Sequence, residues 1–205
     1  MEAAAIDALV SELYDRAGAD EGEPPGPLAL ARALLGHDAV LTVPPSALPG
    51  DASLARVEGS WRIYVRRGLP PERAGFAVAH ELAEWRVRAE GGTEAACDAL
   101  GAALITPRPA FLRALGRSQT VTEVAATFGS TESLAWLRIG EVTGTPLCLV
   151  APTTVRVRGR PYAWPANENE LRGLAKGRRR GLVKTRLRDD KKRTAVVAAQ
   201  LSFPF

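Results

Sequence analysis

The chain has 205 residues, 46% of them hydrophobic and 24% charged, with a formal net charge of +4. That composition is ordinary for a globular protein and excludes wholesale disorder, collagen and coiled coil. No run reaches the ~18 apolar residues of a membrane span. The opening residues lack the basic stretch of a secretory leader, and Cys97 and Cys148 are too far apart to suggest a disulfide framework, so a reducing cytoplasm is expected.

Ile6, Leu9, Val10, Leu13 and Tyr14 fall at helical spacing and predict an amphipathic helix over 3–16, ended by Gly18. Pro27 suits a first helical turn, and Leu28, Ala31 and Leu34 carry one face on to Gly36. Residues 39–43 read as a strand closed by Pro44-Pro45, and 55–57 with 61–65 as a hairpin around Glu58-Gly59-Ser60. Pro70, Pro71 and Glu72 predict a helix start, with the helix running to about Glu90 before Gly91-Gly92. Thr93 is the expected N-cap of the next helix, which ends near Ile105 ahead of Pro107. A short helix over 109–115 follows, then a helical pair, 122–128 and 132–142, around Gly129-Ser130. Beyond Gly144 the pattern turns to strands at 147–150, 155–158, 181–186 and 194–201, with a helix over 167–176. The expected fold class is α+β. A mainly helical part with a small β-sheet spans 1–117, a helix-turn-helix-like pair 118–144, and a small β-rich basic region 145–205.

Charge is spread unevenly. Residues 172–193 hold eleven Lys or Arg against Asp189 and Asp190, so a mildly acidic body carries a basic end. Such a run is either a solvated face or a contact surface for nucleic acid or an acidic partner.

The most informative segment is Phe76-Ala77-Val78-Ala79-His80-Glu81-Leu82-Ala83-Glu84-Trp85. His80 and Glu84 are four apart and project from one helix face, with Glu81 on its flank. This is the spacing of HExxH, in which two histidines hold zinc and the Glu is general base, except that Glu84 stands where the second His would be. On the next helix Glu94 and Asp98 are again one turn apart. Packed against the first helix, Glu94 would supply a third ligand, and Asp98 would accept a hydrogen bond from the outward ring N–H of His80. The competing reading leaves Glu84 and Glu94 facing solvent and His80 as a satisfied core residue. His37, after Leu34-Leu35-Gly36, reads as a turn residue, Cys97 as a small buried side chain, and Trp61, Trp85, Trp136 and Trp164 as packing residues.

The run from Arg73 to Ala83 resembles the RxxFxxAHELxH helix of the ImmA/IrrE family of metallopeptidases. Glu94 to Pro107 is similar to that family's ExxANxFAAxLLMP helix, and Val124 to Arg138 to its LAxxFxVSxxAxxxRL helical pair. The resemblance covers roughly residues 5 to 140. It implies a gluzincin-like, zincin-type fold with His80 as first metal ligand, Glu81 as general base, Glu94 as third ligand and Asp98 behind His80. It also implies a protein substrate: a cytoplasmic DNA-binding repressor, inactivated by one cut in a stress or mobile-element switch of transcription.

Glu84 departs from the family, which has His there. Two carboxylates and one neutral His cancel the charge of a divalent ion, and a less positive ion acidifies water less. One divalent metal is expected, zinc first and manganese as the harder alternative that oxygen ligands favour. The outcomes left open are a working variant site, an altered metal, or an inactive pseudo-peptidase. A helix-turn-helix DNA-binding regulator is the reading from another class, resting on Ala125, Gly129, Arg138 and the basic end.

Overall fold

The computed structural model describes residues 2–88, 91–118 and 121–143 in full, and the backbone of four strands between 147 and 198. The fold is a mainly helical α+β fold. Helices α1 (Ala3–Ala17) and α2 (Pro27–Leu35) lead into β1 (Val40–Val43), β2 (Ala52–Val57) and β3 (Ser60–Arg66). Then follow α3 (Pro71–Val87), α4 (Glu94–Ile105), α5 (Arg108–Arg117), α6 (Val121–Thr127) and α7 (Glu132–Thr143). No helix of the described residues is long and apolar enough to cross a membrane.

The first sheet has the order β1-β3-β2, with β1 parallel and β2 antiparallel to β3. Glu58 (φ 50°) and Gly59 (φ 83°) form the two-residue link between β2 and β3. Positive φ at both positions is what a tight type I′ hairpin demands, and it matches the twist of the flanking strands. The hairpin is longer than its sequence suggests. It begins at Ala52, paired with Val65, because Ala52, Ser53 and Leu54 gain ladder hydrogen bonds that their weak strand propensity does not announce.

The main core lies between this sheet and α1–α4. Leu13, Leu30, Ile63, Leu82 and Leu100 are wholly or almost wholly buried there. Each contributes roughly 1.5–3 kcal/mol of apolar burial. Tyr14 joins them and donates its hydroxyl to the Leu104 carbonyl at 2.7 Å; burial holds its phenol well above the ordinary range. A second cluster joins α5, α6 and α7 through Phe111, Val124, Ala135 and Trp136.

The C-terminal strands β4 (Leu147–Val150), β5 (Val155–Arg158), β6 (Lys184–Arg188) and β7 (Thr194–Ala198) form an antiparallel sheet of order β5-β4-β7-β6. The expected strand at 181–186 is thus seen from Lys184 and runs on to Arg188. The expected helix over 167–176, Trp164 and most of the basic run lie outside the described residues.

Candidate metal centre

Two helices build the site. Pro71 opens α3 with Glu72 in its first turn, and the Gly92 amide closes its end on the Val87 carbonyl at 2.9 Å. Thr93 caps α4, its side chain accepting from the Ala96 amide at 3.3 Å. The short connection folds α4 back along α3. They approach closely at Gly101, where an added Cβ would sit 3.1 Å from His80 Cα and 3.1 Å from His80 N. The missing side chain lets the α4 backbone lie against His80 and carries Glu94 and Asp98 to its ring. Nothing in the sequence reading singled out Gly101; an isolated glycine inside a helical pattern was the available signal.

The His80 side chain is only 15% exposed, and each ring nitrogen faces a carboxylate. Nδ1 lies 3.0 Å from Asp98 Oδ1, and Nε2 lies 3.2 Å from Glu94 Oε1. Glu94 and Asp98 themselves reach into solvent, at 80% and 59% side-chain exposure. In a neutral ring one proton serves only one of these contacts. If Nδ1–H donates to Asp98, the Nε2 lone pair confronts the Glu94 oxygen, and a cation between them relieves the repulsion. The spacing suits a metal ion. Ligand bonds of about 2.0–2.1 Å on a tetrahedron place neighbouring donors about 3.3–3.4 Å apart.

Glu81 is buried, at 8% exposure. Burial pushes its carboxyl upward, and the charges of Glu84 and Glu94 push the same way; His80 and the Leu54 amide of the edge strand β2 pull it down. A carboxyl raised in this way is a stronger base for water than an exposed one.

Glu84 is placed differently from Glu94. Its donors fall with those of His80 and Glu81 in one possible metal-holding group, while Glu94 and Asp98 fall with His80 in another. Glu84 also forms an ion pair with Arg88, one turn along α3. The structure therefore brings His80, Glu94 and Asp98 together as the spacing suggested, and adds a competitor for Glu84 that the sequence reading did not weigh. His80 Nε2 and Glu94 fit as ligands of a divalent ion, with Asp98 on Nδ1 to orient the ring; Glu84 would have to leave Arg88 to join them.

The surroundings of His80 differ on its two sides. Towards β2 and β3 lies an open cleft of about 430 Å³, lined by Pro49, Asp51, Arg66, Arg73, Phe76, His80 and Glu81 among others. Towards α7 lies a more apolar hollow of about 410 Å³, lined by Phe76, Ala99, Ala102, Leu134 and Leu137, with Asp98 at its margin. Phe76 stands between the two, its ring 6.2 Å from that of His80. His37 is exposed beside Asp38, away from these residues, and Cys97 is buried, its thiol pushed up by burial first and then by Glu94, Glu84 and Asp98.

The helical pair α6–α7 presents a different arrangement. Arg138 points inward and is 3% exposed. It donates to the Thr106 carbonyl at 3.2 Å and to Asp7 and Glu141 at 3.3 Å each. The basic side chain on which the helix-turn-helix reading partly rests is thus spent on joining α7 to α1 and to the end of α4.

No family model matches the chain, and no curated protein matches its sequence. Among solved structures it is similar to a Mycobacterium tuberculosis transcriptional regulator, with 14% sequence identity and a TM-score of 0.56. The likeness covers 77% of this chain and 57% of that one, so the chain spans less than two thirds of that structure. At that identity the likeness is one of fold.

Proposed function

We propose that the chain is a metal-dependent endopeptidase of the ImmA/IrrE type, working in the cytoplasm on a partner protein, with a DNA-binding repressor as the substrate class. The observation that carries this reading is the setting of His80, with Asp98 on one ring nitrogen, Glu94 on the other, and buried Glu81 one residue along the helix. His80, Glu84 and Glu94 would hold the ion, zinc or manganese. Such an ion supplies Lewis-acid polarisation of a peptide carbonyl. Glu81 accepts a proton from the attacking water and returns it to the leaving amine. Asp98 holds the His80 ring in the tautomer that keeps Nε2 free to bind. The cleft lined by His80 and Glu81 gives an extended peptide room beside the site.

The Glu84–Arg88 pair favours a second reading, a pseudo-peptidase that keeps the fold and binds its partner without cutting it. The DNA-binding reading loses support from α7, because Arg138 is buried. Metal content by elemental mass spectrometry separates the first two. Protein purified without chelator is expected to carry about one equivalent of zinc or manganese, lost in Glu94→Ala and in Glu84→Ala. Cleavage of candidate repressors should then vanish in Glu81→Gln with metal retained. Wild-type protein that stays metal-free after reconstitution with both ions overturns the peptidase reading and leaves the pseudo-peptidase.

A further inference from the structure

The cleft towards β2 and β3 contains a charge arrangement that the proposed chemistry leaves unused. Asp51, just before β2, is shared by two arginines from different elements. Arg66, at the end of β3, meets its Oδ1 at 2.7 Å, and Arg73, in the first turns of α3, donates through Nε to its Oδ2. Two guanidinium groups on one carboxylate leave one positive charge. Each guanidinium carries five donors, and Asp51 engages one from each. Arg73 lines the cleft and is 59% exposed, so its remaining donors are open to solvent there. The carboxylates grouped around His80 are Glu81, Glu84, Glu94 and Asp98, and Arg88 is paired with Glu84. Among the described residues lining this cleft, Arg66 and Arg73 are its only cations.

The position sets a reading frame. Arg73 precedes His80 by seven residues on one helix, which is about 10.5 Å along the axis. For a peptide laid along the cleft parallel to α3, at about 3.3 Å per residue, that distance corresponds to about three residues. We infer that Arg73 and Arg66, tethered by Asp51, are specificity residues that select substrates with an acidic side chain about three residues from the scissile bond. The inference rests on the endopeptidase reading. Recognition of a carboxylate by a guanidinium fork is short-range and directional. Asp51 positions both forks in advance and damps their charge, so an uncharged peptide is not excluded by the cleft but gains less from it.

The test uses zinc-reconstituted protein and a positional-scanning mixture of internally quenched decapeptides. The best peptide is then made with Glu and with Gln at the selected position, labelled, and its binding to Glu81→Gln protein followed by fluorescence anisotropy. The Glu peptide is expected to bind about tenfold more tightly than the Gln peptide. That ratio should fall towards one in Arg73→Gln and in Arg66→Gln. It should rise in Asp51→Asn, which frees both guanidinium groups from a competing charge. A merely structural clamp would behave otherwise, with all three variants weakening both peptides alike. Thermal melts identify any variant that has failed to fold, and the remaining two then decide. Cleavage without preference for an acid at any position overturns this inference alone. Neither cleavage nor binding of any peptide, by protein that holds metal, overturns the endopeptidase reading and this inference with it.

Discussion

Two helical pairs in this chain invite a functional reading, and they use their polar residues in opposite ways. In α3–α4 the polar groups meet at a cleft: His80 is gripped by carboxylates that themselves reach solvent. In α6–α7 the conspicuous charge, Arg138, is turned into the protein, ties α7 to Asp7 and Thr106, and pairs with Glu141 on its own helix. Charges at an open cleft keep free lone pairs or donors for a ligand. A charge with three internal partners is committed to structure, and removing it leaves those partners behind. The comparison teaches that a basic residue on a helix-turn-helix-like segment indicates a nucleic-acid surface only if its side chain faces outward.

The strongest way to break this contrast is at the crossing of α3 and α4. Gly101→Leu places atoms where the His80 backbone already sits. We expect a loss of about 3 kcal/mol by chemical denaturation, together with loss of metal binding, since overpacking forces the helices apart. Next is Arg138→Ala, which removes the partner that Asp7 and Glu141 share and leaves Asp7 with only its longer contact to Arg108. The acids are partly exposed, so the cost should be about 2 kcal/mol, below that of a fully buried pair, with metal content unchanged. Asp98→Ala should do the converse. The melting temperature should barely move, while metal affinity, measured by competition with a chromogenic chelator, should fall about 10–100-fold.

The smallest effect concerns the link between α1 and α3. Arg86 donates to both carboxylate oxygens of Glu12, at 3.1 and 2.8 Å, and this holds the Glu12 carboxyl below the usual range. A carboxyl lowered in the folded state contributes stability above its unfolded pKa and loses it as pH falls through the folded value. Glu12→Gln should therefore lower the melting temperature slightly at neutral pH and not at all in strong acid. A gap that persists in acid would mean that packing, not charge, is responsible.

The helices were legible because their ends are marked locally. Pro71 and Thr93 open α3 and α4, and Gly18 takes φ 63° at the end of α1. The candidate ligands were legible because i, i+4 spacing is a property of one helix, and each of His80/Glu84 and Glu94/Asp98 sits within one. What could not be read depends on rotation or on distance along the chain. Whether Glu84 turns to the ring of His80 or to Arg88 is a matter of side-chain torsion, invisible in a string of letters. Asp51, Arg66 and Arg73 come from a loop, a strand and a helix, and only the sheet's packing on α3 brings them together. Arg138 faces inward because Asp7 waits there, 131 residues earlier.

That separation bears on how the protein is made. The Tyr14–Leu104 hydrogen bond joins residues 90 apart, and the Arg138–Asp7 pair joins residues 131 apart. A ribosome adding about 5–20 residues per second takes on the order of ten seconds to travel from Asp7 to Arg138. Until α4 follows, the apolar face of α1, with Ile6, Val10 and Leu13, has emerged with only α2 to cover it. The nascent chain is then most exposed to chaperones and to aggregation, and slower elongation would lengthen that window.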